Sequence, residues 1–82
     1  MAKEVEVIAW FDKEGTVKPI KVRLEENDEI QVIAIKNILK KEYEKLAGNH
    51  MWKLTCSSDI DGVQKNFVLK FELMTSKWYL FV

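Results

Sequence analysis

The sequence predicts an all-β fold: a single small antiparallel meander of about six strands, bent into a sheet or a partly open barrel. Three observations predict it. Phe67, Leu69, Phe71 and Leu73 alternate with Asn66, Val68, Lys70 and Glu72, the period of two of a strand with one buried face. Similar alternation recurs along the chain between tight polar breaks, the pattern of a meander. The 82 residues, 48% hydrophobic and 32% charged with one Pro and three Gly, make one ordered domain. At that size roughly 60% of the unfolded chain's surface becomes buried, so every large apolar residue counts.

Strand one is Glu4–Phe11, with Val5, Val7, Ala9 and Phe11 on one face and Glu4, Glu6, Ile8 and Trp10 on the other. Its β-branched and aromatic residues suit a pleated surface. Asp12-Lys13-Glu14-Gly15 forms a turn. Strand two is Val17–Glu25, with Ile20, Val22 and Leu24 inward. Pro19 has no donor for a ladder and places its end of the strand at an edge. After the turn Glu26-Asn27-Asp28-Glu29, strand three is Ile30–Ile35, apolar on both faces as a central strand would be.

The segment 35–46 reads two ways. Ile35, Ile38, Leu39, Tyr43 and Leu46 fall at helical spacing, with Gly48-Asn49 as a stop. That is an amphipathic helix, and the fold is then α+β. The other reading continues strand three as a long bent strand that turns at Ala47-Gly48-Asn49, with Glu42-Tyr43-Glu44-Lys45 as an exposed edge. Strand four is Met51–Cys56, with Trp52, Leu54 and Cys56 inward; Ser57–Gly62 is a turn. Asp61-Gly62 is the strongest short hairpin signal in the chain. Strand five is Val63–Leu73. Strand six is Lys77–Val82, with Trp78, Leu80 and Val82 inward.

Thirteen basic residues balance thirteen acidic ones. Proteins that live on phosphate contacts usually carry a basic excess, so the balance argues against nucleic acid, while zero net charge favours self-association. The lone Cys56 forms no internal disulfide, unlike a small secreted domain. Met1-Ala2-Lys3-Glu4 opens no signal-length apolar run, and no stretch reaches the roughly 20 apolar residues of a membrane span. The expectation is a cytoplasmic protein without a membrane partner.

No motif carries chemistry. Asp59-Ile60-Asp61-Gly62 lacks the flanking ligands of a calcium loop: counted from Ser57, its twelfth position is Val68. His50 and Cys56 are two ligands where zinc needs three or four, and on one strand they lie roughly 20 Å apart. No glycine-rich loop cradles phosphate. The reading is therefore no enzyme, no cofactor, no metal and no small-molecule substrate.

Apolar residues on the second face supply the functional expectation. Ile8, Trp10, Val68, Tyr79 and Phe81 exceed what one side of a sheet shows to water. Either the sheet closes over them or they meet a partner, a second copy or another protein. The alternative is a small barrel that binds single-stranded nucleic acid with Lys36, Lys40, Lys41, Lys45, Lys77 and the aromatic Trp78.

Gly15 with Pro19, Ile35–Leu39, Ala47-Gly48-Asn49, Cys56, Phe71-Glu72-Leu73 and Lys77-Trp78-Tyr79-Leu80 together resemble a group of small bacterial proteins, from clostridia and their relatives, with no assigned function. The resemblance covers most of the chain in short pieces. It implies a compact all-β domain, which tips segment 35–46 towards strand, and it brings no functional residues with it.

Overall fold

The alternation along the chain is realised as seven strands: β1 (Ala2–Phe11), β2 (Val17–Glu26), β3 (Glu29–Ala34), β4 (Asn37–Leu46), β5 (Asn49–Ile60), β6 (Val63–Glu72) and β7 (Lys77–Phe81). The structure is a computed structural model and describes residues 2–81. All seven strands form one antiparallel sheet in the order β3-β2-β1-β7-β6-β5-β4. The two outer strands, β3 and β4, are consecutive in sequence and joined only by Ile35 and Lys36. The sheet therefore curls into a half-barrel whose edges are held together by the chain itself.

Segment 37–46 is a strand. Its last residues pair one-to-one with β5 from Lys40↔Thr55 to Leu46↔Asn49. Helical spacing loses because pairing with β5 satisfies the backbone along the segment and gives both of its acids a partner: Glu42 lies opposite Lys53, and Glu44 reaches Lys70 of β6 at 2.8 Å. The Ala47-Gly48 pair that reads as a helix stop is a hairpin turn, with φ of 51° and 79°. Positive φ at both central residues also occurs at Asn27-Asp28 and Asp61-Gly62. That geometry matches the right-handed twist of the strands and makes each two-residue connection tight. The β3–β4 run is the long bent strand of the second sequence reading, split where it changes partner from β2 to β5.

Two bulges set that change of partner. Ile8 pairs with Lys21 and Ala9 with Pro19, which leaves Ile20 extra on β2; Ile38 pairs with Cys56 and Lys40 with Thr55, which leaves Leu39 extra on β4. A bulge shifts parity by one residue. Val17 and Pro19 consequently point inward with Val22 and Leu24, while Ile20, expected inward, is 39% exposed.

The core lies on the concave side: Val5, Val22, Leu24, Ile33, Leu54, Cys56, Phe67, Leu69, Phe71, Trp78 and Leu80 are buried there. Phe71 packs against Trp78 at 4.9 Å and takes the edge of Phe11 at 5.6 Å between ring centroids. Phe67, Leu69 and Phe71 face the core as their parity requires; Leu73 lies beyond the end of β6 and is exposed. Three further expectations change. β3 is an outer strand, not a central one, and its second apolar face is open to solvent. The strand expected over Met51–Cys56 runs on to Ile60 through Ser57 and Ser58, both fully buried. Those two small side chains sit where the β3–β4 link crosses β5, and the Lys36 amide donates to the Ser57 carbonyl there at 2.9 Å. The strand count rises by one over the expected six because the bent strand is split. Val82, read as inward-facing, lies outside the described residues. No helix in the described residues is long and apolar enough to cross a membrane.

Candidate interaction surface

The convex face of β1–β3 carries large apolar side chains in rows. Register places Ile8, Lys21 and Ala34 in one row, and Glu6, Arg23 and Val32 in the next. Trp10 stands beside Lys18, and Ile30 beside Glu25. Ile8 is 63% exposed, Trp10 66%, Ile30 54% and Val32 58%. The Arg23 guanidinium donates to the Glu6 carboxylate at 2.7 Å and braces the middle of this face. Ile8 and Val32 share one shallow cleft over it.

Where β2 runs past the end of β3, it faces β4 across an open seam. Two adjoining clefts of about 430 and 480 Å³ follow that seam, and Trp10, Lys18 and Ile38 line both. Lys36, Lys40 and Lys41 approach from the β4 side, and the bulged Ile20 and Leu39 line its walls. Lys36 is paired with Asp59 at 3.3 Å and Lys40 with Glu42 at 3.7 Å. Among the described residues, Lys18 and Lys41 make no ion pair. Asp12, the acid nearest this cleft, accepts the amides of Glu14 and Thr16 within its own turn.

The five apolar residues singled out in the sequence do not form one patch. Ile8 and Trp10 stand exposed at one end of the convex face. Val68, Tyr79 and Phe81 are half-buried at the other, where Phe81 pairs with both Val68 and Ala2, and Tyr79 with Glu4. Glu4 and Trp10 are six residues apart on β1, about 20 Å at about 3.3 Å per residue. The Lys70 ammonium lies 5.2 Å from the Phe81 ring centre and also holds Glu44, so that end is already covered by charge.

The six residues of the nucleic-acid alternative also separate. Trp78 is 7% exposed and belongs to the core, so it offers no stacking face. Lys77 is 3.2 Å from Glu4, whose hydrogen bond holds its ammonium above the usual lysine range. Lys45 lies near the far end of β4 opposite His50. Lys36, Lys40 and Lys41 do converge, and they do so beside Trp10 and Lys18, not beside Trp78.

Neither reactive candidate lies in a site. Cys56 is fully buried, and burial pushes its thiol up to about 11, far from the thiolate. His50 sits six residues along β5 from it and meets the Tyr43 hydroxyl through Nδ1. Among the described residues, no three His, Cys, Asp or Glu side chains are grouped to hold a metal ion.

No protein-family model, curated protein or solved structure matches the chain.

Ile20, Ile30, Val32, Leu39 and Lys18 were not singled out in the sequence as surface residues. Strict alternation along β2 places Ile20 in the core only because it runs through the bulge. Ile30 and Val32 read as one buried face of a central strand. The one local signal available was Pro19, which marks the edge where β2 loses its neighbour.

Proposed function

We propose that this chain is a non-catalytic protein-association module that docks through the convex face of β1–β3. One observation carries the reading: Ile8, Trp10, Ile30 and Val32, on outer and adjoining strands, each expose more than half their surface. Soluble monomers rarely leave such residues together in water, and an apolar face interleaved with Lys21, Arg23 and Glu25 has the mixed make-up of a protein interface. Aromatic and aliphatic anchors of this kind supply most of the binding energy at interfaces. Sedimentation equilibrium from micromolar to millimolar concentration tests it. Wild-type chain associates, and Ile8→Ser with Val32→Ser abolishes the association while the far-UV spectrum stays that of a sheet. A double variant that associates as wild type does would refute this face.

A second reading has one observation in its favour: Lys18, Lys36, Lys40 and Lys41 meet beside an exposed indole. Lysines tracking phosphates beside a stacking aromatic bind single-stranded nucleic acid. Zero net charge weighs against it. Gel shift of a labelled oligonucleotide decides, because phosphate contacts weaken steeply as salt rises.

A further inference from the structure

The sheet ends at β4, which pairs with β5 on one side and with no further strand among the described residues on the other. In an antiparallel ladder, alternate residues turn their amide and carbonyl groups to opposite sides. Alternate residues of β4 therefore present unpaired donors and acceptors at an open edge, a template for one more strand. Register fixes the side chains that flank this edge. Lys41, Tyr43 and Lys45 lie opposite Leu54, Trp52 and His50 and share their face of the sheet. That face is the concave one, where Leu54 is fully buried and Trp52 packs against the core. On β4 it is uncovered: Lys41 and Lys45 are exposed, and Tyr43 is 45% exposed. The Tyr43 ring meets Trp52 edge to face, 4.9 Å between centroids. Lys41 and Lys45 make no ion pair among the described residues. The acids of the strand, Glu42 and Glu44, lie on the other face and are engaged by Lys40 and Lys70. Towards its start the edge runs into the cleft of about 430 Å³ lined by Ile38, Leu39 and Trp10.

We propose that this edge takes an added strand: an extended segment of another protein with acidic side chains at alternate positions. The site lies apart from the convex face of β1–β3, and the proposal does not rest on the association reading above. Backbone pairing supplies affinity, and every second side chain of the segment falls beside the row Lys41, Tyr43, Lys45. Opposite charges across a ladder attract and like charges repel. The matching segment is therefore acidic, apolar and acidic at positions two apart. A further apolar side chain, two positions on, enters the cleft at Leu39. The charges and the cleft select the partner. A nucleic-acid strand fits this edge less well. Phosphates accept hydrogen bonds and donate none, so the edge carbonyls would be left facing negative charge.

The probe is a fluorescent, end-capped peptide, Leu-Thr-Glu-Thr-Val-Thr-Glu-Thr-Leu, which reads the same in both directions and so fits either strand polarity. Its control carries Lys in place of both Glu. Fluorescence anisotropy at low and high salt gives the affinities. Wild type binds the acidic peptide about tenfold or more tightly than the control, and binding weakens as salt rises. Lys41→Glu with Lys45→Glu inverts the preference, and its gain of the control peptide shows that it folds. Should that variant unfold, Lys41→Ala with Lys45→Ala is expected to cut the preference to about threefold or less. Ile8→Ser with Val32→Ser binds the peptide as wild type does. Hydrogen exchange of the β4 amides slows when the peptide is added. Equal affinity for the two peptides, or no binding to wild type at millimolar concentration, overturns the proposal and leaves the association reading standing. Protection on β3 instead of β4, or binding lost only in Ile8→Ser with Val32→Ser, also overturns it. Protection of β4 that grows with the concentration of the chain alone overturns it in favour of a second copy. A single-stranded oligonucleotide that binds more tightly than the acidic peptide, and is lost in the lysine variants, overturns it in favour of nucleic acid.

Discussion

The Ile20 carbonyl accepts a hydrogen bond from the Ile35 amide at 2.9 Å, and the next amide, Lys36, donates to the Ser57 carbonyl at the same distance. Two successive amides thus bind two different strands, β2 and β5. That is the point where the β3–β4 run changes partner and where the half-barrel is held shut. The bulge at Ile20 lets the carbonyl turn outward to meet the crossing chain, and it opens the seam beyond, where Trp10 stands.

The buried hydroxyl next to this crossing gives a first prediction. Ser58 Oγ is buried without a hydrogen-bond partner. Ser58→Ala removes that uncompensated burial and stabilises the fold by about 1 kcal/mol. Urea unfolding of the variant checks the sign; a loss of stability would show that the hydroxyl is bonded.

Leu69 is fully buried at the centre of the concave face, between β5 and β7 partners Leu54 and Leu80. Leu69→Ala costs about 2–5 kcal/mol, from lost transfer energy plus the cavity left behind. In a domain of this size that is a large fraction of total stability. The urea midpoint should fall accordingly, whereas Leu46→Ala, at an exposed strand end, should barely move it.

Ala47 adopts φ of 51° at the first turn position between β4 and β5. A residue with a Cβ is strained there, and asparagine is the residue that best tolerates it before Gly48. Ala47→Asn is expected to raise stability by about 0.5–1 kcal/mol, read as a higher melting temperature with an unchanged sheet spectrum.

Glu72 accepts hydrogen bonds from the Thr75 hydroxyl and from Asn49 Nδ2, with Lys77 nearby, and these hold its carboxyl below the usual carboxylate range. A depressed value in the fold means the stabilisation is present above the unfolded-state value. It is lost as pH falls through the folded-state value. Glu72→Gln therefore lowers stability in the neutral region, and its curve approaches the wild type's as pH falls through the carboxylate range, so its acid limb is flatter. Equal steepness in the two proteins would exclude this group as a contributor.

The Cys56 thiol is buried and held protonated at neutral pH. Native protein should resist alkylation near pH 8, and urea-unfolded protein should label at the rate of a free thiol. Labelling in the native state at the unfolded rate would mean that β5 opens on its own.

Alternation at Phe67–Phe71 and the hairpin signal Asp61-Gly62 were legible in the sequence because both are local: a strand's faces follow from parity, and a tight turn follows from two residues. Ile20 was not legible. Nothing in Pro19-Ile20-Lys21 announces a bulge, yet one extra residue there reverses which side chains face in. The surface was legible only in part. Ile8 and Trp10 stand out by their parity, but Tyr79 and Phe81 share that face and are half-buried, and Lys70 lies over the Phe81 ring while it pairs with Glu44 two strands away.

The sequence by itself determined that this chain is a small antiparallel β domain, which residues line its inner face between bulges, and where its tight turns fall. Each of these depends on neighbours within a few positions. Only the tertiary structure decided that segment 37–46 is a strand and that β3 lies at an edge. It alone brought Lys18, Trp10 and Leu39 together across the seam. Those outcomes depend on pairing between residues distant in sequence, where backbone hydrogen bonds and shared burial outweigh local periodicity.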